Sequence, residues 1–250
     1  MPDVVRDRMG LLVETADAVA SVMRRIDDPG LSGRREGQYV LDLRADEAAL
    51  AVLRRAGVGV LSEESGLERP DADEIVIIDP VDGSTNASRG VPWYATSLCL
   101  VDRDGPAAAL VVNLASGVRW SAERGGGASR DGVPIAPTGC TRVAESIIGM
   151  NGLPPHHLGY AQSRVFGAVS LDLCQVASGV LDGYVDCVHE AHGAWDHAAA
   201  SLICREAGAV VTDLHDRDLW PLDHAARRTP IAAATPELHE ALVAARRAFA

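Results

Sequence analysis

The carboxylates that could do chemistry fall at four places along the chain. They are Asp46, the pair Glu63-Glu64, the pair Asp79 and Asp82, and Asp196. Most of these places adjoin the end of a predicted element, where α/β scaffolds commonly form ligand sites. Carboxylates gathered in this number repel one another unless a cation neutralises them, and Mg²⁺ prefers oxygen ligands. The pattern therefore predicts a magnesium site suited to phosphoryl transfer.

The segment 75–84, which reads IVIIDPVDGS, is the strongest of these signals. An apolar strand ends in two carboxylates, and its proline fixes the path of the chain while its glycine relaxes it. Asp79 and Asp82 can then face one hard cation. Ser84 follows with a free hydroxyl.

Each acidic position also has a purely structural interpretation. Asp46 and Asp196 both fit the N-cap of a predicted helix, a position that Asp favours. Glu63-Glu64 fits a solvated turn, and Asp82-Gly83 fits an ordinary turn. Taken singly, most of these positions are explained by structure alone.

Three segments taken together resemble the inositol monophosphatase family, whose members are magnesium-dependent and lithium-sensitive phosphatases. Residues 79–86, DPVDGSTN, are similar to the family signature, and residues 62–65, SEES, resemble its acidic turn. Residues 195–200, WDHAAA, with 206–208, EAG, resemble its C-terminal motif. The resemblance extends over about residues 42–213 and implies a layered αβαβα sugar-phosphatase fold of mixed α+β and α/β character.

The resemblance implies a site for two or three Mg²⁺ ions. Glu63 and Asp79, with the Val81 carbonyl, would bind the first ion. Asp79 would also bind the second, together with Asp82 and Asp196. Glu63 would contact a third, more loosely held ion.

The resemblance also implies the catalytic and substrate-binding residues. Asp46 and Ser84, with Glu63 as a metal ligand beside them, would orient and deprotonate the metal-activated water. Contacts to phosphate are expected from Asp82, Gly83, Ser84 and Thr85. Contacts to substrate hydroxyls are expected from Gly167, Ala168 and Val169, and from Asp186 or Glu190.

The sequence departs from the family pattern at two points. The family often has a lysine before the Asp46 region, whereas every basic residue of this chain is arginine and only Arg34 and Arg35 are near. The spacing from Asp186 to Asp196 is a few residues longer than in inositol phosphatases. That spacing leaves Asp186 and Glu190 as alternative contacts to the substrate.

The expected activity is hydrolysis of a small polyol phosphate, with inositol monophosphate or a related cyclitol or sugar phosphate first. The segment 86–94 also resembles family members that act on fructose 1,6-bisphosphate. Histidinol phosphate, phosphoadenosine phosphate and a pathway-specific aminocyclitol phosphate stay open as substrates. A different class of protein also fits the resemblance, namely a catalytically silent binder of a phosphorylated metabolite. The complete set of carboxylates argues against this alternative.

Histidines offer one further metal hypothesis. His189 and His192 lie near Asp196, but they are three residues apart, whereas the metalloprotease helix needs a spacing of four. Zinc is therefore disfavoured.

Hydrophobic periodicity predicts two halves, an α+β half over 1–135 and an α/β half over 136–250 that completes the site. The first half is expected to contain helices at 4–26 and 46–56, a loop at 30–37, and strands at 58–61 and 74–78. An antiparallel meander over 93–101, 107–114 and 118–123 follows, with hairpin signals between its strands. The second half is expected to alternate strands at 146–150, 180–186, 209–212 and 231–234 with helices at 171–178, 195–207 and 236–249.

The net charge and the composition limit the classes of partner that the protein is expected to bind. The net charge of −12 argues against nucleic acid and anionic membranes, which require a basic face. The five cysteines lack a paired spacing, and no long apolar run is present, which predicts reduced thiols in a soluble cytoplasmic protein. The resemblance implies a homodimer that acts on a small phosphorylated metabolite.

Overall fold

The structure, a computed structural model, describes residues 7–25, 30–33 and 38–249. The helices are α1 (Arg8–Met23), α2 (Val40–Ala56), α3 (Ser84–Arg89), α4 (Val169–Ala177), α5 (Ala194–Ala207) and α6 (Pro236–Arg247). The strands are β1 (Gly59–Ser62), β2 (Gly66–Glu68), β3 (Ile75–Asp82), β4 (Ala95–Asp102), β5 (Gly105–Asn113), β6 (Arg119–Glu123), β7 (Gly127–Arg130), β8 (Val133–Pro134), β9 (Ile147–Asn151), β10 (Gln162–Arg164), β11 (Gly183–Asp186), β12 (Val210–Asp213) and β13 (Pro230–Ala233).

The first sheet has eight strands in the order β2-β1-β3-β4-β5-β6-β7-β8. From β3 onward each strand pairs antiparallel with the next, which confirms the predicted meander. β1 lies parallel to β3, so the turn after β1 and the end of β3 meet at one edge of the sheet. That edge carries two of the predicted acidic positions.

The second sheet has five strands in the order β10-β9-β11-β13-β12. β10, β9 and β11 are parallel, whereas β13 and β12 are antiparallel to their neighbours. The C-terminal ends of β9 and β11 therefore lie side by side and place Asn151 opposite Asp186. This edge lies near the end of β3, because His192 is 3.3 Å from Asp186 at the end of β11 and 3.5 Å from Asp196, whose carboxylate is close to that of Asp82.

Five layers of helix and sheet enclose the apolar core. α1 and α2 cover one face of the first sheet. α4 and α5 lie between the two sheets. α6 covers the outer face of the second sheet. Both faces of β3 and β4 are consequently covered, which explains why their sequences are nearly continuous apolar runs.

Helix α2 begins six residues earlier than predicted, so the expected start at Asp46 is wrong. The backbone N–H of Tyr39 donates to Asp42 Oδ2 at 2.9 Å, which stabilises a helix start at Val40. Leu41 and Ala45 face the core, and the helix ends at Gly57 as expected. Asp46 therefore lies within the helix and is not its N-cap.

The other predicted elements match the structure to within a few residues, and the structure adds elements that were not predicted, among them α3, β7 and β8. β3 continues through Pro80 to Asp82, past the predicted end at residue 78. β2 and β10, three residues each, were not predicted because strands this short carry no periodic signal. Predictions for residues 1–6, 26–29 and 34–37, including Arg34 and Arg35, fall outside the described residues.

The first sheet is formed by β1–β8 and the second by β9–β13. One apolar core between the sheets contains residues from both halves of the chain. The domain division at residue 135 stays a prediction. Among the described residues, every helix is too short or too polar to cross a membrane.

Asn86 links the first half of the chain to the second. Its Nδ2 donates to the carbonyl oxygens of Trp93 and Phe166, both at 2.8 Å. Asn86→Ala should lower the free energy of unfolding by about 1–3 kcal/mol, because two carbonyls lose their donor. Urea unfolding measures the change. Ser88→Ala, which removes an exposed hydroxyl of the same helix, is the control and should change stability by less than about 0.5 kcal/mol. Equal effects of the two substitutions would refute the link.

Candidate metal and substrate site

Three carboxylates converge where β3 ends and α5 begins. Asp79, Asp82 and Asp196 each offer an oxygen atom, and these oxygens lie within 4.8 Å of one another. Asp79 and Asp82 are buried, whereas the Asp196 side chain is 19% exposed. The sequence separates Asp79 from Asp196 widely, so only the packing of α5 against the first sheet unites them.

A bulge in β3 turns both of its carboxylates toward the same side. Residues three apart on a regular strand point to opposite faces, because side chains alternate. Here Asp79 pairs with Ser97 and Asp82 with Ala95, so β3 contains one residue more than β4 over this stretch. The extra residue shifts the alternation of side chains by one position, so the Asp79 and Asp82 side chains lie on the same face of the strand. The sequence signal for this bulge was the Asp-Pro pair, which the prediction took as the end of the strand.

Burial and neighbouring charge both disfavour ionisation of Asp79. Burial raises the pKa of Asp79 well above its ordinary value, and the charges of Glu63, Asp82, Asp196 and Asp42 raise the pKa further. Asp79 Oδ1 accepts a hydrogen bond from the Val81 N–H at 2.9 Å, which fixes the orientation of the carboxylate. Asp79 is the centre of the acidic cluster.

Asp82 is held by the second half of the chain. Its Oδ2 accepts from the Ser170 N–H at 2.7 Å and from Ser170 Oγ at 2.5 Å. Burial, together with the charge of Asp196, raises the pKa of Asp82 to about 7, although the bonds from Ser170 and the nearby His192 oppose the increase. Sequence reasoning missed Ser170, which follows directly after the expected substrate contacts at 167–169.

The acidic turn brings Glu63 to the cluster. The Glu63 N–H donates to the Ile78 carbonyl, which ties the turn to β3 immediately before Asp79. The Glu63 carbonyl lies 3.1 Å from His224 Nε2, so the loop before β13 braces the turn from the other side. The charge of Glu63 is the largest of the neighbouring charges that raise the pKa of Asp79, but the Glu63 carboxylate is not part of the group whose oxygens lie within 4.8 Å of one another.

Asp46 and Asp42 have different surroundings, although both lie on α2. Asp46 Oδ1 accepts from Ser62 Oγ at 2.5 Å and from Ser65 Oγ at 3.4 Å, so Asp46 supports the acidic turn. Asp42, one helical turn earlier, is buried and contributes to the raised pKa of Asp79. Sequence reasoning missed Asp42 because the predicted helix started after it.

The phosphate and hydroxyl contacts expected from the resemblance meet across a close backbone approach. Gly83 adopts φ +85°, and a Cβ atom there would lie 3.0 Å from the Trp93 carbonyl oxygen. The same Cβ would lie 3.1 Å from the Gly167 carbonyl oxygen and 3.1 Å from Ala168 Cβ. Ser84 and Thr85 follow in the first turn of α3, and Val169 begins α4. The structure therefore brings residues 83–85 and 167–169 together beside the acidic cluster.

The two alternative hydroxyl contacts are both engaged elsewhere. Asp186 is completely buried, and its Oδ1 accepts from Asn151 Nδ2 and from the Val188 N–H, each at 3.0 Å. Glu190 is exposed and forms an ion pair with Arg217 at 2.6 Å. Neither carboxylate is presented directly to the cluster.

His192 occupies the space between Asp186 and the cluster. Burial lowers the pKa of His192, but Asp196, Asp186 and Asp82 together outweigh burial and raise the pKa to about 9. The only sequence signal for this residue was the long spacing between Asp186 and Asp196. The neighbouring His189 instead packs against His215, with ring centroids 5.8 Å apart, and does not join the cluster.

The donor set fits a hard divalent cation. The cluster in the described part of the chain consists of carboxylates alone, which are the ligands that Mg²⁺ prefers. Their burial and mutual repulsion, seen in the raised pKa values of Asp79 and Asp82, are relieved when a cation shares their oxygens.

Comparison with solved structures identifies the fold. The extragenic suppressor protein SuhB from Bartonella henselae superposes with a TM-score of 0.81 at 27% identity, over 96% of this chain and 98% of that chain. An inositol monophosphatase from Anabaena has a TM-score of 0.79 over 96% of this chain and 95% of that one. The layered architecture is thus the inositol monophosphatase fold.

Sequence comparison identifies the family. The model of the inositol monophosphatase family matches residues 12–249. An inositol-1-monophosphatase from Mycolicibacterium smegmatis is 31% identical, with 94% of this chain and 92% of the relative aligned. The chain belongs to the inositol monophosphatase family, whose members are phosphoric monoester hydrolases.

Gly83 tests the close approach of the two backbone segments. In Gly83→Ala, the left-handed backbone conformation of the new alanine should by itself lower the free energy of unfolding by about 1–2 kcal/mol. The new Cβ would also displace the Trp93 and Gly167 carbonyls, so the total loss should be larger. Phosphatase activity should fall with it. Gly90→Ala is the matched control, because Gly90 has φ +73° at the other end of α3 but open space around it. Thermal unfolding and turnover of both variants measure the difference, and similar losses at the two positions would argue against a role for close packing.

Proposed function

We propose that this protein is a magnesium-dependent phosphomonoesterase that hydrolyses a small polyol phosphate, with inositol monophosphate as the first candidate substrate. The observation that carries the proposal is the buried cluster of Asp79, Asp82 and Asp196 beside the backbone of residues 83–85 and 167–169. Such a cluster is costly to bury without a cation. A phosphatase of this family with these carboxylates has the oxygen ligands that magnesium-dependent hydrolysis of a phosphate ester requires.

The carboxylates are proposed to hold two Mg²⁺ ions. Glu63 and Asp79, with the Val81 carbonyl, would bind one ion, and Asp79, Asp82 and Asp196 would bind the other. Glu63 would also contact a third, more loosely held ion. When bound, Mg²⁺ lowers the pKa of a coordinated water and neutralises charge on the phosphoryl oxygens. Asp79 is common to both sets, which agrees with its central position among the charges of the cluster.

The residues of this chain would position the reactants. We propose that Asp42, rather than Asp46, acts with Ser84 to orient the attacking water and accept its proton. The support is that the charge of Asp42 contributes to the raised pKa of Asp79. Asp46 instead accepts hydrogen bonds from Ser62 and Ser65 of the acidic turn. Positioning of this kind supplies much of the rate in phosphoryl transfer.

The phosphate is proposed to lie against Asp82 and the backbone of residues 83–85, with the alcohol portion toward residues 167–169. These two segments approach within van der Waals distance at Gly83, so one small ester can contact both.

Fructose 1,6-bisphosphate is the second candidate substrate. A relative from Archaeoglobus fulgidus, 32% identical over 96% of this chain and 97% of its own, is named a fructose-1,6-bisphosphatase/inositol-1-monophosphatase. Histidinol phosphate, phosphoadenosine phosphate and an aminocyclitol phosphate complete the set to be tested. The completeness of the carboxylate set is what favours an enzyme over a silent binding protein.

Phosphate release from this panel, with Mg²⁺ and with a chelator, tests the proposal. Magnesium-dependent release from one ester, with saturation at low concentration, would support the chemistry and identify the substrate. A folded protein that releases no phosphate from any ester would favour the silent binder.

Asp79→Asn tests the metal site. Turnover should fall at least roughly 100-fold, equivalent to about 2.7 kcal/mol of barrier, because one substitution weakens both proposed ion sites. The fold should be retained, since removing one of several mutually repelling charges does not cost packing. Asp71→Asn, which removes an exposed charge before β3, should behave as the wild type. Circular dichroism and steady-state kinetics measure both, and near-normal turnover by a folded Asp79→Asn would overturn the assignment.

A pair of substitutions separates Asp42 from Asp46. Asp42→Asn should lower kcat by about 100-fold or more, the usual contribution of a general base, with little loss of thermal stability. Asp46→Asn should lower the melting temperature, because Ser62 and Ser65 then donate to a neutral amide oxygen instead of a carboxylate, and should lower kcat less. The reverse ranking of kcat would return the catalytic role to Asp46.

The homodimer and the cytoplasmic location stay predictions from the resemblance and the composition. Sedimentation velocity at micromolar protein tests the former.

A further inference from the structure

Asp186 is closed off from any substrate in this structure. Its Oδ1 already accepts two hydrogen bonds, from Asn151 Nδ2 and from the Val188 N–H. Its Oδ2 accepts no hydrogen bond from the described residues, but it lies within ion-pair distance of His192 Nε2, 3.3 Å away, and the residue has no exposed surface. A carboxylate in this position cannot accept a hydrogen bond from a substrate hydroxyl unless His192 moves away.

His192 joins Asp186 to the acidic cluster. While Nε2 of the imidazole faces Asp186 Oδ2, Nδ1 lies 3.5 Å from Asp196 Oδ2. Asn151 Nδ2 lies 3.1 Å from His192 Nε2 and so contacts both members of the Asp186–His192 pair. The imidazole therefore bridges two carboxylates, one of which is a proposed metal ligand.

The backbone fixes the imidazole in this place. His192 and Arg228 form an isolated antiparallel bridge, in which the His192 N–H donates to the Arg228 carbonyl at 3.3 Å and the Arg228 N–H donates to the His192 carbonyl at 2.8 Å. The long segment between Asp186 and Asp196 is thereby anchored to the loop before β13.

Asp196 depends on this contact more than the other two cluster members do. Val81 N–H orients Asp79, and Ser170 orients Asp82. Among the described side chains, His192 is the group within ion-pair distance of the Asp196 carboxylate. Asp196 is also the most exposed of the three, so packing constrains it least.

We propose that His192 is a positioning residue for Asp196, and that Asp186 holds His192 in place instead of contacting the substrate. This inference rests on the proposed function in taking Asp196 as a metal ligand. Groups that orient a metal ligand from behind typically change metal affinity or activity by roughly 10–100-fold when removed. The chain Asp186–His192–Asp196 has the contacts that such a role requires.

Direct binding of Mg²⁺ to the metal-free protein provides the first readout. His192→Ala should weaken Mg²⁺ binding, measured by isothermal titration calorimetry, by roughly 10-fold or more, because Asp196 loses its orienting contact. His192→Gln, which keeps an amide donor, should recover part of that loss. His189→Ala is the matched control in the same segment and should bind Mg²⁺ as the wild type does.

Asp186→Asn provides the second readout, because the two possible roles of Asp186 predict different results. A supporting role predicts weaker Mg²⁺ binding, as in His192→Ala, with an unchanged KM for the ester at saturating Mg²⁺. A substrate contact predicts a raised KM with unchanged Mg²⁺ binding. The double variant of His192→Ala and Asp186→Asn should bind Mg²⁺ no more weakly than His192→Ala alone, since the two residues act in series.

Three results would overturn the proposal. They are unchanged or tighter Mg²⁺ binding by His192→Ala, a change confined to KM in Asp186→Asn, and full additivity in the double variant. If Asp186→Asn does not fold, the two His192 variants decide. Because calorimetry needs no substrate, a wild-type protein that binds Mg²⁺ but releases no phosphate would refute the proposed function and leave the positioning role tested.

Discussion

Repulsion among buried carboxylates is the constraint on which the rest of this structure depends. Asp79, Asp82 and Asp196 sit within a few ångströms of one another in a largely buried place, at a cost that raises the pKa values of Asp79 and Asp82. The scaffold therefore supplies a separate orienting contact for each: a backbone amide for Asp79, Ser170 for Asp82 and His192 for Asp196. The two sheets and the helices between them serve to hold those contacts in register.

The sequence was sufficient for the order and type of most elements, because the central strands β3 and β4 are buried on both faces and read as apolar runs. It was also sufficient to select Asp79 and Asp82, which end the apolar run of β3, and Asp196, which lies in the first turn of α5. The start of α2 was wrong because its first turn is stabilised by Asp42 binding back to the Tyr39 N–H, an interaction that periodicity does not reveal. Asp42 was missed with it.

The surroundings of Asp186 could not be predicted for a different reason. Spacing showed that the segment before Asp196 is long, but spacing does not show which side chain of the segment turns inward. That choice is made by the bridge between His192 and Arg228, whose partners come from separate parts of the fold. Contacts between distant segments of this kind become visible only in three dimensions. The bulge in β3 is similar, because the extra residue is defined by its pairing with β4.

The contact between Ser170 and Asp82 joins residues 88 positions apart, and Asp196 is still farther along the chain. Closing such long loops is entropically slow, so contacts of this kind form late when a chain folds. The acidic cluster is therefore assembled only after the first sheet, α4 and α5 have docked. During synthesis, most of the chain must leave the ribosome before the acidic residues of β3 meet their partners. Until then Asp79 and Asp82 remain hydrated, and their repulsion is not yet an obstacle to the growing fold.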